Sequence, residues 1–115
     1  MPFYLMRFSY TPEAWARLIK RPEDRREVGR AVIEKLGGKL HGFWYAFGEH
    51  DAFVLIEAPD NAAAAAFSVG ISSGGSLRSA ETTVLLTVEE TIDMLRRAQE
   101  LPYRPPGEVK AGRGQ

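Results

Sequence analysis

Residues 3–10 run Phe-Tyr-Leu-Met-Arg-Phe-Ser-Tyr, and a two-residue repeat divides them into two sets. Tyr4, Met6, Phe8 and Tyr10 fall on one side; Phe3 and Leu5, with Arg7, fall on the other. That pattern predicts a strand. Thr11-Pro12-Glu13 follows with a hydroxyl cap, a proline at the first helical position and an acid in the first turn, which together open a helix. The apolar spacing then lengthens. Trp15, Leu18 and Ile19 share one face of a short helix, Pro22 interrupts it, and Val28, Ala31, Val32 and Leu36 form the expected buried stripe of a longer one. Gly37-Gly38 supplies the left-handed residue that ends such helices.

Residues 39–47 predict a second, strongly aromatic strand, and 52–58 a third. The connection Gly48-Glu49-His50-Asp51 is too short for a crossover helix, so the two strands pair as an antiparallel hairpin. Asp60 is placed to cap a helix built on the alanines 62–66 and anchored by Phe67 and Ile71. A Ser/Gly loop at 72–76 leads to a fourth strand over 77–86, rich in Thr, Val and Leu. Thr87-Val88-Glu89-Glu90 has capping-box spacing and opens a last helix carrying Ile92, Leu95 and Ala98, with Arg96 and Arg97 near its negative end. Residues 1–100 are expected to form the domain. The Pro/Gly-rich residues 101–115 are expected to be disordered or packed on a neighbour.

The order βαββαβ is that of a ferredoxin-like α+β domain, here with an extra C-terminal helix. It predicts a four-stranded antiparallel sheet in the spatial order 4-1-3-2 with its helices on one face. The helix-free face should then turn polar, and the sequence departs from that rule. In the first strand Phe3 and Leu5 oppose Tyr4, Met6, Phe8 and Tyr10, and in the third Phe53 and Leu55 oppose Ala52, Val54 and Ile56, so neither face is polar. The second strand, an edge, carries Phe43, Trp44, Tyr45 and Phe47. Apolar faces and aromatic edges of this kind invite a partner. A homodimer or higher homo-oligomer is the expectation, with Phe43, Trp44, Phe47, Phe53 and Leu55 as interface candidates.

Composition narrows the function classes. With 115 residues there is room for one domain. Fifteen basic and fifteen acidic residues cancel, which argues against a phosphate-backbone binder. The absence of cysteine excludes disulfides, zinc-thiolate sites and cysteine nucleophiles. No charged leader followed by an apolar run is visible, and no stretch is long enough to span a bilayer, so the expected location is cytoplasmic. No cofactor is expected. The two histidines, nine residues apart, do not match a metal-ligand spacing.

Six residues are candidates for ligand contact: Arg7, His41, Tyr45, His50, Asp51 and Glu57. His50 can act as a proton shuttle, having an ordinary pKa near neutrality. The structural alternative is turn chemistry, with Gly48 supplying an unusual backbone angle and Asp51 capping local amides. By the period-two rule His41 and Tyr45 share a side of their strand with Phe43 between them. If Arg7 and Glu57 join them on the helix-free face, the four line a semi-apolar pocket. Alternatively Arg7 and Glu57 form a cross-sheet or intersubunit ion pair. Trp15 and Trp44 either stack a planar ligand or fill core and interface.

The chain also resembles the GYD-domain family, from about residue 3 to residue 98. The opening strand ending in Tyr10-Thr11 carries the likeness, with Glu34-Lys35-Leu36-Gly37-Gly38-Lys39, Phe43-Trp44, the hairpin Gly48-Glu49-His50-Asp51, and Glu57-Ala58-Pro59-Asp60. His50 stands where the family's signature has tyrosine. The resemblance implies a unit of the dimeric α/β-barrel type, packed sheet to sheet. Fold shared with enzymes is only an analogy for function. Three readings follow: a self-associating module holding a small apolar or aromatic ligand, a cofactor-independent monooxygenase- or isomerase-like enzyme with its pocket between the helix-free face and a partner, and, least favoured, an RNA binder.

Overall fold

The computed structural model describes residues 1–107; the expectation for the end of the tail lies outside them. The chain divides into two compact units, Met1–Leu85 and a second from Leu86 onward. The first unit holds β1 (Phe3–Tyr10), α1 (Pro12–Lys20), α2 (Arg26–Lys35), β2 (Lys39–Tyr45), β3 (Ala52–Glu57), α3 (Asn61–Ser72) and β4 (Leu77–Leu85). The second holds α4 (Val88–Gln99). The four strands form one antiparallel sheet in the order β2-β3-β1-β4, the ferredoxin-like arrangement.

Local chemistry places the helix starts. Thr11 Oγ1 accepts the Ala14 amide at 3.2 Å, and Asp60 Oδ1 accepts that of Ala63 at 2.8 Å. Asp24 serves α2 from one residue upstream of its cap, accepting the Arg26 amide at 2.9 Å and holding the Arg26 guanidinium. In the second unit Thr87 and Glu90 exchange side-chain and backbone hydrogen bonds of 3.0 and 2.8 Å, the expected capping box. Gly37, at φ 85°, ends α2, and the Gly38 amide turns back to the Ile33 carbonyl at 2.9 Å.

The core lies between one sheet face and α1–α3. Tyr4, Met6 and Phe8 of β1 stand opposite Ile56, Val54 and Ala52 of β3, all buried. Ala14, Ile33, Ala64 and Phe67 cover them from the helices. Each large side chain removed from water here contributes about 1.5–3 kcal/mol.

Several sequence expectations are corrected. The arc of α2 turned toward the sheet is Gly29, Val32, Ile33 and Leu36; Ile33 is wholly buried, while Val28 and Ala31 are exposed. Ile19 is 78% exposed, since Ala14, Trp15 and Leu18 already take the inward face of α1. β2 ends at Tyr45, where the Ala46 amide closes the hairpin on the Asp51 carbonyl at 2.8 Å. Phe47 lies in the turn, fully exposed. Gly48 is not among the glycines with positive φ. α3 runs on through Ser72, into the segment expected to be a loop.

Two glycines make contrasting demands. A Cβ on Gly38 would sit 2.2 Å from the Glu57 carbonyl oxygen and 2.9 Å from the Ile33 side chain, so backbone and core would both have to move. One on Gly42 would meet the Trp44 ring first, at 2.2 Å, and that indole is half exposed and can swing away. Gly38→Ala is therefore expected to cost about 3 kcal/mol in urea unfolding. Gly42→Ala should cost less than about 1 kcal/mol while changing tryptophan fluorescence.

Candidate functional site

The two faces of the sheet carry different chemistry. On the far face, turned away from α1–α3, Phe3, Leu5, Phe53 and Leu55 form a half-buried apolar strip. Arg7 is at one end of it. Its Nη2 donates to Thr83 Oγ1 at 2.7 Å and lies 3.6 Å from Glu81 Oε1. His50 approaches the same carboxylate, with Nε2 at 4.0 Å from Glu81 Oε2, and sets its ring edge-on to Phe53. At the other end His41 Nε2 and Glu57 Oε1 are 2.9 Å apart, and the imidazole lies against Phe3. That hydrogen bond, first among the causes, lowers the Glu57 carboxyl below its ordinary value.

The cross-sheet Arg7–Glu57 pair does not form within one chain. Register sets Arg7 opposite Phe53 and Glu81, and Glu57 opposite Phe3 and Lys39, four residues and roughly 13 Å further along the sheet.

The expected grouping of His41 with Phe43 and Tyr45 is also overturned. Between Leu40 and Gly42 the pairing shifts, with Leu40 opposite Ile56 and Gly42 opposite Leu55, so His41 is an inserted bulge residue. It joins the far face, as does Trp44 opposite Phe53. Phe43 and Tyr45, opposite Val54 and Ala52, turn toward the helices. The sequence-predicted set thus divides: Arg7, His41, His50 and Glu57 on the far face, Tyr45 on the helix side.

Asp51 is committed to holding the fold. Its Oδ2 accepts the Tyr10 amide at 2.9 Å and Trp15 Nε1 at 3.2 Å, while its own amide donates to the Phe8 carbonyl. These bonds tie the hairpin to β1 and α1; the role is structural, but the amide that Asp51 caps belongs to β1 and not, as expected, to its own turn.

The helix side holds a feature that the sequence reading did not find. α2 lies on β2 and α3 on β4, so β3 and β1 between them are left as the floor of a cleft. The cavity has a volume of about 430 Å³, toward the lower end of the range for small-molecule sites. Phe8, Phe43, Val54 and Phe67 line its depth; Val28 and Val32 line it from α2, and Ile71 and Leu77 from α3 and β4. Arg25, Tyr10, Ser73 and Ser76 supply its polar groups. Gly29 of α2 and Gly70 of α3 also border it, and a Cβ on either would meet nothing within 4 Å. Glycine inside a helix costs about 1 kcal/mol relative to alanine, and neither is needed here for close packing. Their place on its border is the signal that a sequence reading could have used.

At the cleft's polar end the Tyr10 and Tyr45 hydroxyls are 3.2 Å apart. Burial first, and then the Tyr45 hydroxyl, push the Tyr10 phenol well above its ordinary value. Tyr10 therefore keeps its proton and remains a hydrogen-bond donor. Among the described residues no cluster of three or more His, Cys, Asp or Glu side chains is arranged to hold a metal. No helix among them is long and apolar enough to cross a membrane.

Because the folded protein holds the Tyr10 proton more tightly than the unfolded chain, this residue's contribution to stability is complete below the ordinary phenol value of about 10 and is lost as pH climbs through the raised native value. In alkaline spectrophotometric titration, the difference between wild type and Tyr10→Phe should show a step displaced above the ordinary tyrosine range. Tyr45→Phe should bring that step down.

Comparison with known proteins bears on fold and family. No curated protein matches the chain. Among solved structures, a transcriptional regulator of Neisseria meningitidis, in complex with L-Met, is similar with a TM-score of 0.50 at 14% identity. That likeness covers 96% of this chain, which spans only 58% of the regulator's length. An uncharacterized NIPSNAP domain protein of Burkholderia xenovorans gives a TM-score of 0.46 at 17% identity, over 76% of this chain and 95% of that one. At such identity the first likeness speaks for the fold alone. The family of the GYD domain matches residues 4–95, a stretch that takes in every strand of the sheet, and by that match the chain belongs to the GYD domain family.

Proposed function

We propose that this protein is a small-molecule-binding domain that takes its ligand in the cleft between α2 and α3 and works as an assembly of identical chains. The observation that carries the reading is the cleft itself: a 430 Å³ cavity with apolar walls, a few polar groups and two bordering glycines. Concave, largely apolar sites with sparse polar groups are where small ligands bind.

An enzyme that moves protons through its histidines is less well supported. His41 and His50 stand on the far side of the sheet from the cleft, each facing a carboxylate. Of His41, His50 and Tyr45, only Tyr45 is on the cleft's side.

The far face supports the assembly. It is apolar at its centre, and its ionic groups carry both signs, Arg7 beside Glu81 and His41 beside Glu57. Such a surface can meet a second copy of itself without like charges coinciding. Zero net charge leaves no overall repulsion between copies.

The ligand reading is tested with the neutral, environment-sensitive dye prodan. Wild type should bind it with a blue shift, and Gly70→Leu, which sends a side chain into the slot, should weaken binding at least about tenfold. Gly70→Ala provides the folding control and should stabilise by about 0.5–1 kcal/mol. Dye binding that Gly70→Leu leaves unchanged removes the cleft from consideration.

The assembly is tested by native mass spectrometry at micromolar concentration. A dimer or higher oligomer is expected from wild type, and monomer from Leu5→Lys and Phe53→Lys, which place a charge at the centre of the strip. Monomeric wild type would end this part of the reading.

A further inference from the structure

The cleft is chemically graded from one end to the other. β1 finishes at Tyr10, opposite Leu77 where β4 begins, and the Thr11 amide donates to the Ser76 carbonyl at 2.9 Å. α2 begins near the same end, since it runs back toward the start of β2. Tyr10, Arg25 and Ser76 therefore gather at one mouth of the cavity. Phe8, Val54 and Phe67 lie further in, and Phe8 meets Phe43 edge to face, with ring centroids 6.0 Å apart at 89°.

Among the described residues, Arg25 is the single charged side chain that lines this cavity. One nitrogen, Nη1, donates to Glu23 at 2.7 Å on the solvent side. A guanidinium has five N–H donors in a planar fork, so that bond leaves most of its capacity unspent. Its charge also reaches Tyr10 and Tyr45. The Tyr10–Tyr45 pair shares a single hydrogen bond between two hydroxyls, so one of the two O–H groups is left to donate elsewhere. The mouth thus offers donors and one positive charge, and the interior offers aromatic edges and branched aliphatic chains.

We infer that the ligand of this cleft is an organic acid with a compact aromatic or alicyclic body, bound ring inward with its carboxylate at Arg25 and the tyrosine hydroxyls. The inference rests on the ligand-binding reading above and adds the chemical class. A cationic ligand would bring like charge to Arg25, and among the described residues no carboxylate lines the cavity to receive it. A neutral ligand would fill the apolar depth but forgo the charge-assisted hydrogen bonds at the mouth, which are roughly twice as strong as neutral ones.

Naphthoate and naphthamide share one body and differ in charge at the head group, so they separate the two ideas. Titrations followed by isotope-edited NMR should show naphthoate binding wild type about tenfold more tightly than naphthamide. Arg25→Gln should bring that ratio close to one, Arg25→Lys should restore part of it, and Gly70→Leu should weaken both probes. Equal affinity for the two probes in wild type, or a preference that survives Arg25→Gln, overturns the acid assignment and leaves the cleft as a ligand site. Failure of wild type to bind either probe, or binding that Gly70→Leu does not touch, overturns the cleft reading together with it.

Discussion

The strict alternation of β1 and β3, the two central strands, is the constraint on which the rest of the structure depends. Tyr4, Met6 and Phe8 on one, and Ala52, Val54 and Ile56 on the other, reach the same side only in the register observed. Sliding one of these strands by one residue would send its own set to the opposite face, bringing Phe3, Leu5 and Arg7 beneath the helices from β1, or Phe53, Leu55 and Glu57 from β3. Burying either charge away from its present partners would cost several kcal/mol. The apolar residues alone would tolerate either register, because both faces are apolar. The charges at positions 7 and 57 decide between them.

Fixing the central pair then determines what the edges can do. β2 follows β3 faithfully at Phe43, Trp44 and Tyr45, but only because His41 has been inserted between Leu40 and Gly42. Without the bulge, the period-two rule would keep His41 with Phe43 and Tyr45. With it, the imidazole leaves for the far face and meets Glu57, while Tyr45 is delivered to Tyr10 across the sheet. Gly42 belongs to the same device, since the Trp44 ring folds back over the place where its side chain would be. One extra residue thus sends a titratable group to each face.

Much of this was legible in the sequence. Element order, strand order, the helix caps at Thr11, Asp60 and Thr87, and the division of β1 and β3 into two faces all follow from local rules, because each depends on residues close together in the chain. The errors arose where distant residues decide. The inward arc of α2 is set by how the helix rolls on β2, and that roll exchanged Val28 for Ile33 in the core. The bulge at His41 depends on the hydrogen-bonding partner strand, and Gly42 beside it is the local sign of it that β2 carries. The absent Arg7–Glu57 bond is a matter of register, and residues on the same face can still be four positions apart.

The cleft was the least legible feature, and the reason is geometric. Its width is the lateral spacing between α2 over β2 and α3 over β4, two elements that never meet in sequence and need not touch in space. Helices that pack in contact commonly place larger side chains between them, and here the bordering positions include Gly29 and Gly70 with open space beyond each. Closing the gap by bringing the helices together would pull α2 from Leu40 and Phe43, or α3 from Leu77 and Ala80, and uncover apolar surface that the sheet now buries. The sheet's width therefore holds the helices apart, and the two glycines border the space between them. A cleft of this size lined by phenylalanine and valine presents apolar surface to water. A ligand of matching shape would take that surface out of water without moving the fold.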